Sequence, residues 1–180
     1  MGGKIAEEKL RGTFVDLREV KIDDAEFILK LRCDEKKSMF LHKTQNDIGL
    51  QKTYLENYFA KTDEWYFISQ NKRGEKIGTI RIYDLRKDSF CTGSWIMADG
   101  SSTEECFETT YLCHRYGFTV LGFEKMHIDV RKGNKKVLRF HKTMGAVPAG
   151  ETELDCLFEF RRDDYLNRAK IMCRAYGISE

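Results

Sequence analysis

Residues 90–145, FCTGSWIMADGSSTEECFETTYLCHRYGFTVLGFEKMHIDVRKGNKKVLRFHKTMG, carry the pattern around which the chain is organised. An apolar run is followed by a Gly/Ser break and a long amphipathic stretch that closes at Leu121 and Gly122. An alternating run at residues 125–130 and a second helical stretch from Asn134 come next, so the segment predicts strand, loop, helix, strand, helix.

Downstream, Val137, Leu138 and Phe140 turn inward on the short helix and Gly145 is placed to end it. Residues 147–149, a GET turn and residues 154–160 predict a strand pair. In the last segment Tyr165, Ala169, Met172 and Tyr176 recur at helical spacing over residues 163–176. Upstream, KIGTIRIYDL at residues 76–85 alternates, which sets Arg81 and Tyr83 on one face. WYFISQ at residues 65–70 precedes it across an Asn-Lys-Arg-Gly hairpin turn, so three consecutive strands form an antiparallel meander. Nearer the N-terminus, TFVDLREV predicts a strand and Asp23 with Glu26 caps a helix over residues 24–32. A polar connector holding Met39, Phe40, Leu41, His42, Lys43 and Thr44 follows. Asn46 or Asp47 then caps a second helix, on which Ile48, Gln51, Leu55, Tyr58 and Phe59 share helical spacing.

Composition narrows the function class. The chain has 180 residues, one proline and no flexible spacer, which fits a single domain with a real core. Charged residues make up 33% but sum to only +2, so there is no electrostatic case for nucleic acid as a partner. The six cysteines include no CxxC and no zinc-like pairing with histidine, so no metal site is expected and the thiols read as reduced and cytoplasmic. No apolar run approaches the roughly 20 residues of a membrane span, and the N-terminal residues lack a leader's apolar core.

The order strand, two helices, three antiparallel strands, long helix, strand, helix, two strands resembles that of the GNAT acetyltransferase superfamily. YGFTVLGFEKMHIDVRKGNKKVLRFHKTMGA is similar to that family's helix, "LGF" corner, fifth strand, Asn-initiated helix and closing segment, and the resemblance spans residues 13–160. It implies an α/β (α+β) fold with a mixed, mostly antiparallel, splayed central sheet flanked by helices. Residues 1–180 would form one domain, with 1–12 flexible and 161–180 a helical extension that offers a possible homodimer contact.

The resemblance also implies acetyl-CoA as co-substrate and a primary amine as acceptor. The backbone of Ile96, Met97 and Ala98 would pair with pantetheine and polarise the thioester, an amide there being worth on the order of 3 kcal/mol. Ser101, Ser102 and Thr103 would meet the pyrophosphate, although Ser102 and Glu104 replace the glycines of the family's loop. An ordinary Ser cap followed by glutamates explains that loop equally well. Asn134, Lys135 and Phe140 would stand beside the coenzyme. Where many relatives place a proton-donating tyrosine, this chain reads Phe140-His141, which makes His141 a candidate acid and a partly exposed helix histidine the alternative. For the base, His42, Asp84 and water remain open; His127 reads as structural and His114 as mid-helix without a partner.

FLHKT at 40–44, GTIRIYD at 78–84, GSWI at 93–96 and DVRKGNKKVLRFHKTMGA at 129–146 resemble the ribosomal-protein acetyltransferase-like branch, especially enzymes that acetylate nucleotide-linked amino sugars for surface polysaccharides. His42, Thr44, Arg81, Tyr83 and Trp95 would then line the acceptor site, with Arg81 meeting a phosphate and Tyr83 or Trp95 stacking on a ring. The rivals are an acetyltransferase of protein N-termini or small amines and a non-catalytic acyl-CoA-binding module.

Overall fold

The computed structural model describes residues 9–41 and 43–179. Eight strands, β1 (Leu10–Arg11), β2 (Val15–Glu19), β3 (Trp65–Asn71), β4 (Lys76–Tyr83), β5 (Ser89–Met97), β6 (Lys125–Arg131), β7 (Val147–Glu151) and β8 (Asp155–Arg161), form one sheet in the order β1-β2-β3-β4-β5-β6-β8-β7. Every neighbouring pair is antiparallel except β5 and β6. The helices among the described residues are α1 (Ala25–Cys33), α2 (Glu35–Ser38), α3 (Ile48–Ala60), α4 (Thr103–Thr119), α5 (Lys135–Thr143) and α6 (Arg162–Tyr176).

The expected meander, long helix and closing strand pair are all present, and local chemistry explains their limits. Asp47 caps α3 by accepting from the Leu50 N–H at 3.0 Å. Gly74, with φ +81°, turns the β3–β4 hairpin, and Gly177, with φ +68°, ends α6 in the left-handed region.

Two apolar cores cover the sheet. One joins Val20, Ile28, Leu55, Tyr58, Tyr66 and Ile68 beneath α1 and α3. The larger collects Phe67, Ile80, Phe90, Phe107, Tyr116, Phe118, Met126 and Phe160 under α4 and α6. α4 is buried almost all round, and its one interior carboxylate, Glu108, is fully inaccessible. That carboxylate accepts from the backbone N–H groups of Thr13 at 2.6 Å, Phe14 at 2.6 Å and Val15 at 2.8 Å, so it satisfies the corner between β1 and β2.

Both ends of the described chain pack against the sheet or its core. Residues 1–8 lie outside the described residues, but Leu10 and Arg11 pair with Leu17 and Asp16, so the ordered sheet begins inside the segment expected to be flexible. In α6, Tyr165, Ala169 and Cys173 are buried in the larger core. All six cysteines are free thiols.

Candidate active site

The site begins where β5 and β6 part. Their parallel pairing runs only through Ser89↔Lys125, Phe90↔Met126 and Cys91↔His127, after which the two strands diverge. On its other edge β5 pairs with β4 as Arg81↔Gly93 and Thr79↔Ile96, which leaves one extra residue on β5. The bulge holds Ser94 at φ +52°, and the Thr79 hydroxyl pins it by donating to the Ser94 carbonyl at 2.7 Å. Gly93 permits the approach of Tyr83, since a Cβ there would lie 3.0 Å from the phenol oxygen.

Two cavities open along this edge. The smaller, about 110 Å³, fills the gap between residues 92–95 of β5 and 128–131 of β6, closed behind by His114 of α4 and by Asn134, Val137 and His141 of α5. The larger, about 400 Å³, lies in front of β4 and β5 and is walled by Arg32, Thr44, Gln51, Tyr54, Tyr66, Arg81 and Tyr83. Phe40, Leu41, Thr92, Gly93, Ser94, Asp129 and Arg131 line both. The cavities therefore adjoin along residues 92–94, which line both.

The larger cavity is cationic and aromatic. Arg81 stacks its guanidinium 4.2 Å from the centre of the Tyr83 ring, as their shared strand face predicts, and donates to the Tyr54 hydroxyl at 2.6 Å. Arg32 is steadied by donating from Nε to the Thr44 hydroxyl at 2.7 Å, and Lys43 also lines the wall. Arg131 is held by Asp155 at 2.9 Å. Burial pushes the Tyr83 phenol above its ordinary range, so it serves as a stacking surface and hydrogen-bond donor rather than a proton source.

Among the expected acceptor residues, Thr44, Arg81 and Tyr83 come together here. His42 lies outside the described residues. Trp95 does not join them: it faces the smaller cavity, with its ring centre 5.1 Å from that of Phe140. The bulge accounts for this correction, because the extra residue changes which side of β5 each later side chain takes.

The coenzyme-side expectations divide in the same way. Asn134 caps α5, accepting from the Val137 N–H at 3.3 Å, and it lines the gap; Lys135 is exposed at the helix start. Ala98 cannot offer an amide to an oxyanion, since its N–H donates to the Ile77 carbonyl at 2.7 Å. Successive amides of a strand alternate edges, so Met97 turns its N–H to the open side of β5 while Ile96 faces β4.

At the start of α4, Ser101 donates its hydroxyl to the Ala98 carbonyl at 2.9 Å. Ser102 and Glu105 form a reciprocal capping box, with bonds of 3.1 and 2.8 Å. The ordinary-cap reading thus describes Ser102, and the Glu105 carboxylate turns back on the helix start instead of outward. Thr103, the first residue of α4, follows that box.

The candidate acid lies deeper than its alternative, a partly exposed helix histidine, supposed. His141 is 6% accessible rather than partly exposed, and burial depresses its pKa to about 4. At neutral pH it is an uncharged imidazole, unsuited to protonating a thiolate as an imidazolium. Its Nδ1 and the Trp95 Nε1 are buried polar atoms without a partner among the described residues, and both residues border the smaller cavity. Such orphans beside an open strand edge suit a ligand rich in amide groups, as pantetheine is. Asp84 is no better as a base, because hydrogen bonds from His127, first, and from Arg86 hold its carboxyl below the usual range. His127 is structural as expected, bridging Asp84 and Ser89.

His114 was misjudged from sequence. It is fully engaged, 3.1 Å from the Thr92 hydroxyl through Nε2 and 3.0 Å from the Tyr165 hydroxyl through Nδ1. Its spacing from Tyr111 and Phe118 on the buried face of α4 was the available signal. Thr92 carried no such signal. Among the described residues no three His, Cys, Asp or Glu side chains gather as metal ligands, and no helix is long and apolar enough to cross a membrane.

Comparison with known proteins agrees with this architecture. Residues 15–147 match the model of the acetyltransferase (GNAT) domain. The solved structure described as apo FdhC, a nucleotide-linked sugar GNAT, is 34% identical, with a TM-score of 0.84, covering 92% of this chain and 97% of that one. More distant structures share the fold alone. A GCN5-related N-acetyltransferase from Brucella melitensis is 14% identical with a TM-score of 0.76, covering 97% of this chain and 86% of that one. A mutant of the spermidine N-acetyltransferase SpeG from Vibrio cholerae is 16% identical with a TM-score of 0.72, covering 86% and 98%. A search of curated proteins finds no match. The family match spans most of the chain, so this protein belongs to the GNAT superfamily of N-acetyltransferases.

Proposed function

We propose that the protein transfers an acetyl group from acetyl-CoA to the primary amine of a nucleotide-linked amino sugar. The observation that carries this reading is the likeness to FdhC, described as a nucleotide-linked sugar GNAT, at 34% identity along nearly the whole of both chains. The larger cavity is consistent with it. Arg32, Lys43 and Arg81 supply cations suited to a diphosphate, and Tyr54, Tyr66 and Tyr83 supply faces suited to a sugar or base.

In this reading acetyl-pantetheine lies in the gap between β5 and β6, with its amides along the open edge of β5 and beside Trp95 and His141. The Met97 N–H, on the open edge of β5, is a backbone donor available to the pantetheine amides. The amine, as the free base, attacks the acetyl carbon across the shared wall at residues 92–94 in a ternary complex. In this reading the reaction belongs to the cytoplasmic assembly of surface polysaccharide.

Calorimetry with acetyl-CoA, desulfo-CoA and ATP tests the donor, and turnover on nucleotide-linked amino sugars, peptides and polyamines tests the acceptor. Selective acetyl-CoA binding with preferential turnover of a nucleotide-linked amino sugar is the expected result. Preferential turnover of a peptide or polyamine overturns the acceptor assignment. Failure to bind acetyl-CoA overturns the donor assignment.

A further inference from the structure

α4 is so enclosed that a histidine on it must find partners within the fold, and His114 finds two from different elements. Tyr165 of α6 is fully buried, and its hydroxyl meets His114 Nδ1 at 3.0 Å. A phenol is the better donor of that pair, and the His114 ring is the partner of its hydroxyl among the described residues, so its proton goes to Nδ1. Burial, with His141 nearby, holds the His114 ring neutral. A neutral imidazole that accepts at Nδ1 carries its own proton on Nε2. That proton points at Thr92 Oγ1, 3.1 Å away.

The consequence falls on Thr92. Its oxygen accepts from His114, which leaves one lone pair and the hydroxyl proton for other partners. Among the described residues the proton reaches the Met126 sulfur at 3.7 Å, a weak acceptor. Thr92 also stands on the wall common to both cavities, directly after the last residue pair that joins β5 to β6. A hydroxyl whose proton has only a weak acceptor among the described residues thus faces the smaller cavity from the α4 side, where the donor thioester would lie.

We propose that Thr92 is a catalytic residue that relays the proton from the attacking nitrogen to the departing sulfur, and that His114 and Tyr165 are positioning residues that fix its orientation. The amine lone pair forms the C–N bond and gives a tetrahedral intermediate with N–H⁺ and O⁻. As the C–S bond breaks, its electron pair goes to sulfur, Thr92 gives its hydroxyl proton to that sulfur and takes one from the nitrogen. The products are the acetamide and the free thiol, and Thr92 is regenerated. No separate acid is needed. The inference rests on the transfer taking place at the shared wall, as in the reading above.

The test compares Thr92→Val, Thr92→Ser, Tyr165→Phe and the Val/Phe double variant, each checked for folding by its thermal melt. Thr92→Val is expected to lower kcat about 100-fold with both KM values within about threefold of the parent. Thr92→Ser should retain most of kcat. Tyr165→Phe should lower kcat by less than Thr92→Val and should lower it no further in the Thr92→Val background, because its effect passes through that hydroxyl. A purely structural Tyr165 would add its loss in both backgrounds, which overturns the relay, as does wild-type kcat in Thr92→Val.

Independently of any substrate, nitrogen-15 NMR of His114 should show the proton on Nε2 in the wild type and a mixture of tautomers in Tyr165→Phe. A wild-type proton on Nδ1 overturns the proposal. If the enzyme instead acetylates a peptide or polyamine, the acceptor assignment fails while the same variants, compared on that amine, still decide the role of Thr92.

Discussion

At residues 89–91, β5 is hydrogen-bonded to β6 and its polar side chains are partnered: Ser89 and Asp84 hold the two nitrogens of His127. A few residues further along the same strand no pairing with β6 remains, and Trp95 Nε1, His141 Nδ1 and Arg81 Nε lie buried without partners among the described residues. The strand is continuous and both ends touch the same core, so hydrophobicity does not distinguish them. What differs is whether the polar groups are satisfied within the chain. A fold that closes one end completely and leaves the other with orphans has set aside the second for a ligand.

The largest effect should come from breaking the closed side. Glu108→Ala removes the acceptor for three backbone N–H groups, and we expect a loss of about 4 kcal/mol, or a melting temperature lower by on the order of 10 °C, read by calorimetry. Glu108→Gln should lose less. A melt unchanged by Glu108→Ala would mean that the β1–β2 corner finds water as readily as the carboxylate.

Next in size is the cost of keeping His141 neutral on the open side. Its folded pKa of about 4 lies below the unfolded value near 6.5, so the unfolded chain binds more protons between those limits. Stability should therefore be complete above pH 6.5 and fall by about 3 kcal/mol as pH drops to 4, with His114 adding in the same direction. The depressed carboxyls of Asp34 and Asp84, each held by hydrogen bonds, weaken the fold only below about pH 4, outside that window. Urea melts from pH 4.5 to 7 should show the slope in the wild type and a flatter one in His141→Phe. An equal slope in both would place His141 in solvent.

Arg81→Ala addresses the acceptor cavity. A KM for the nucleotide-linked sugar raised about tenfold, with the acetyl-CoA value unmoved, is the expected split in steady-state kinetics. Equal rises in both would show that Arg81 holds the sheet rather than the acceptor. The smallest effect is expected for Glu105→Gln. Removing one negative charge from the start of α4 should cost less than about 1 kcal/mol of stability and tighten acetyl-CoA binding two- to threefold by calorimetry, roughly the size of one helix-dipole interaction.

The same division explains how much was legible in the sequence. Element order and type came through because apolar periodicity reports burial directly, and caps such as Asp47 are local. Arg81 and Tyr83 were placed together by strand alternation alone. The placement of Trp95, implied by resemblance, missed a bulge that depends on β4, through Thr79, and not on the text of β5. His141 was within reach, being four residues after Val137 and three after Leu138 on the inward face of α5. Glu108 and Thr92 were not, because the groups that give them meaning, the corner at residues 13–15 and the ring of His114, come from distant parts of the chain.

The wall shared by the two cavities also has a consequence for inhibitor chemistry. A molecule that joins the coenzyme's sulfur to the amine nitrogen of the acceptor through a one- or two-carbon bridge would occupy both spaces at once, and its second half would bind as an intramolecular partner of the first. Because residues 92–94 line both cavities, the affinity of such a molecule should exceed either separate one, and each added methylene should erode that gain.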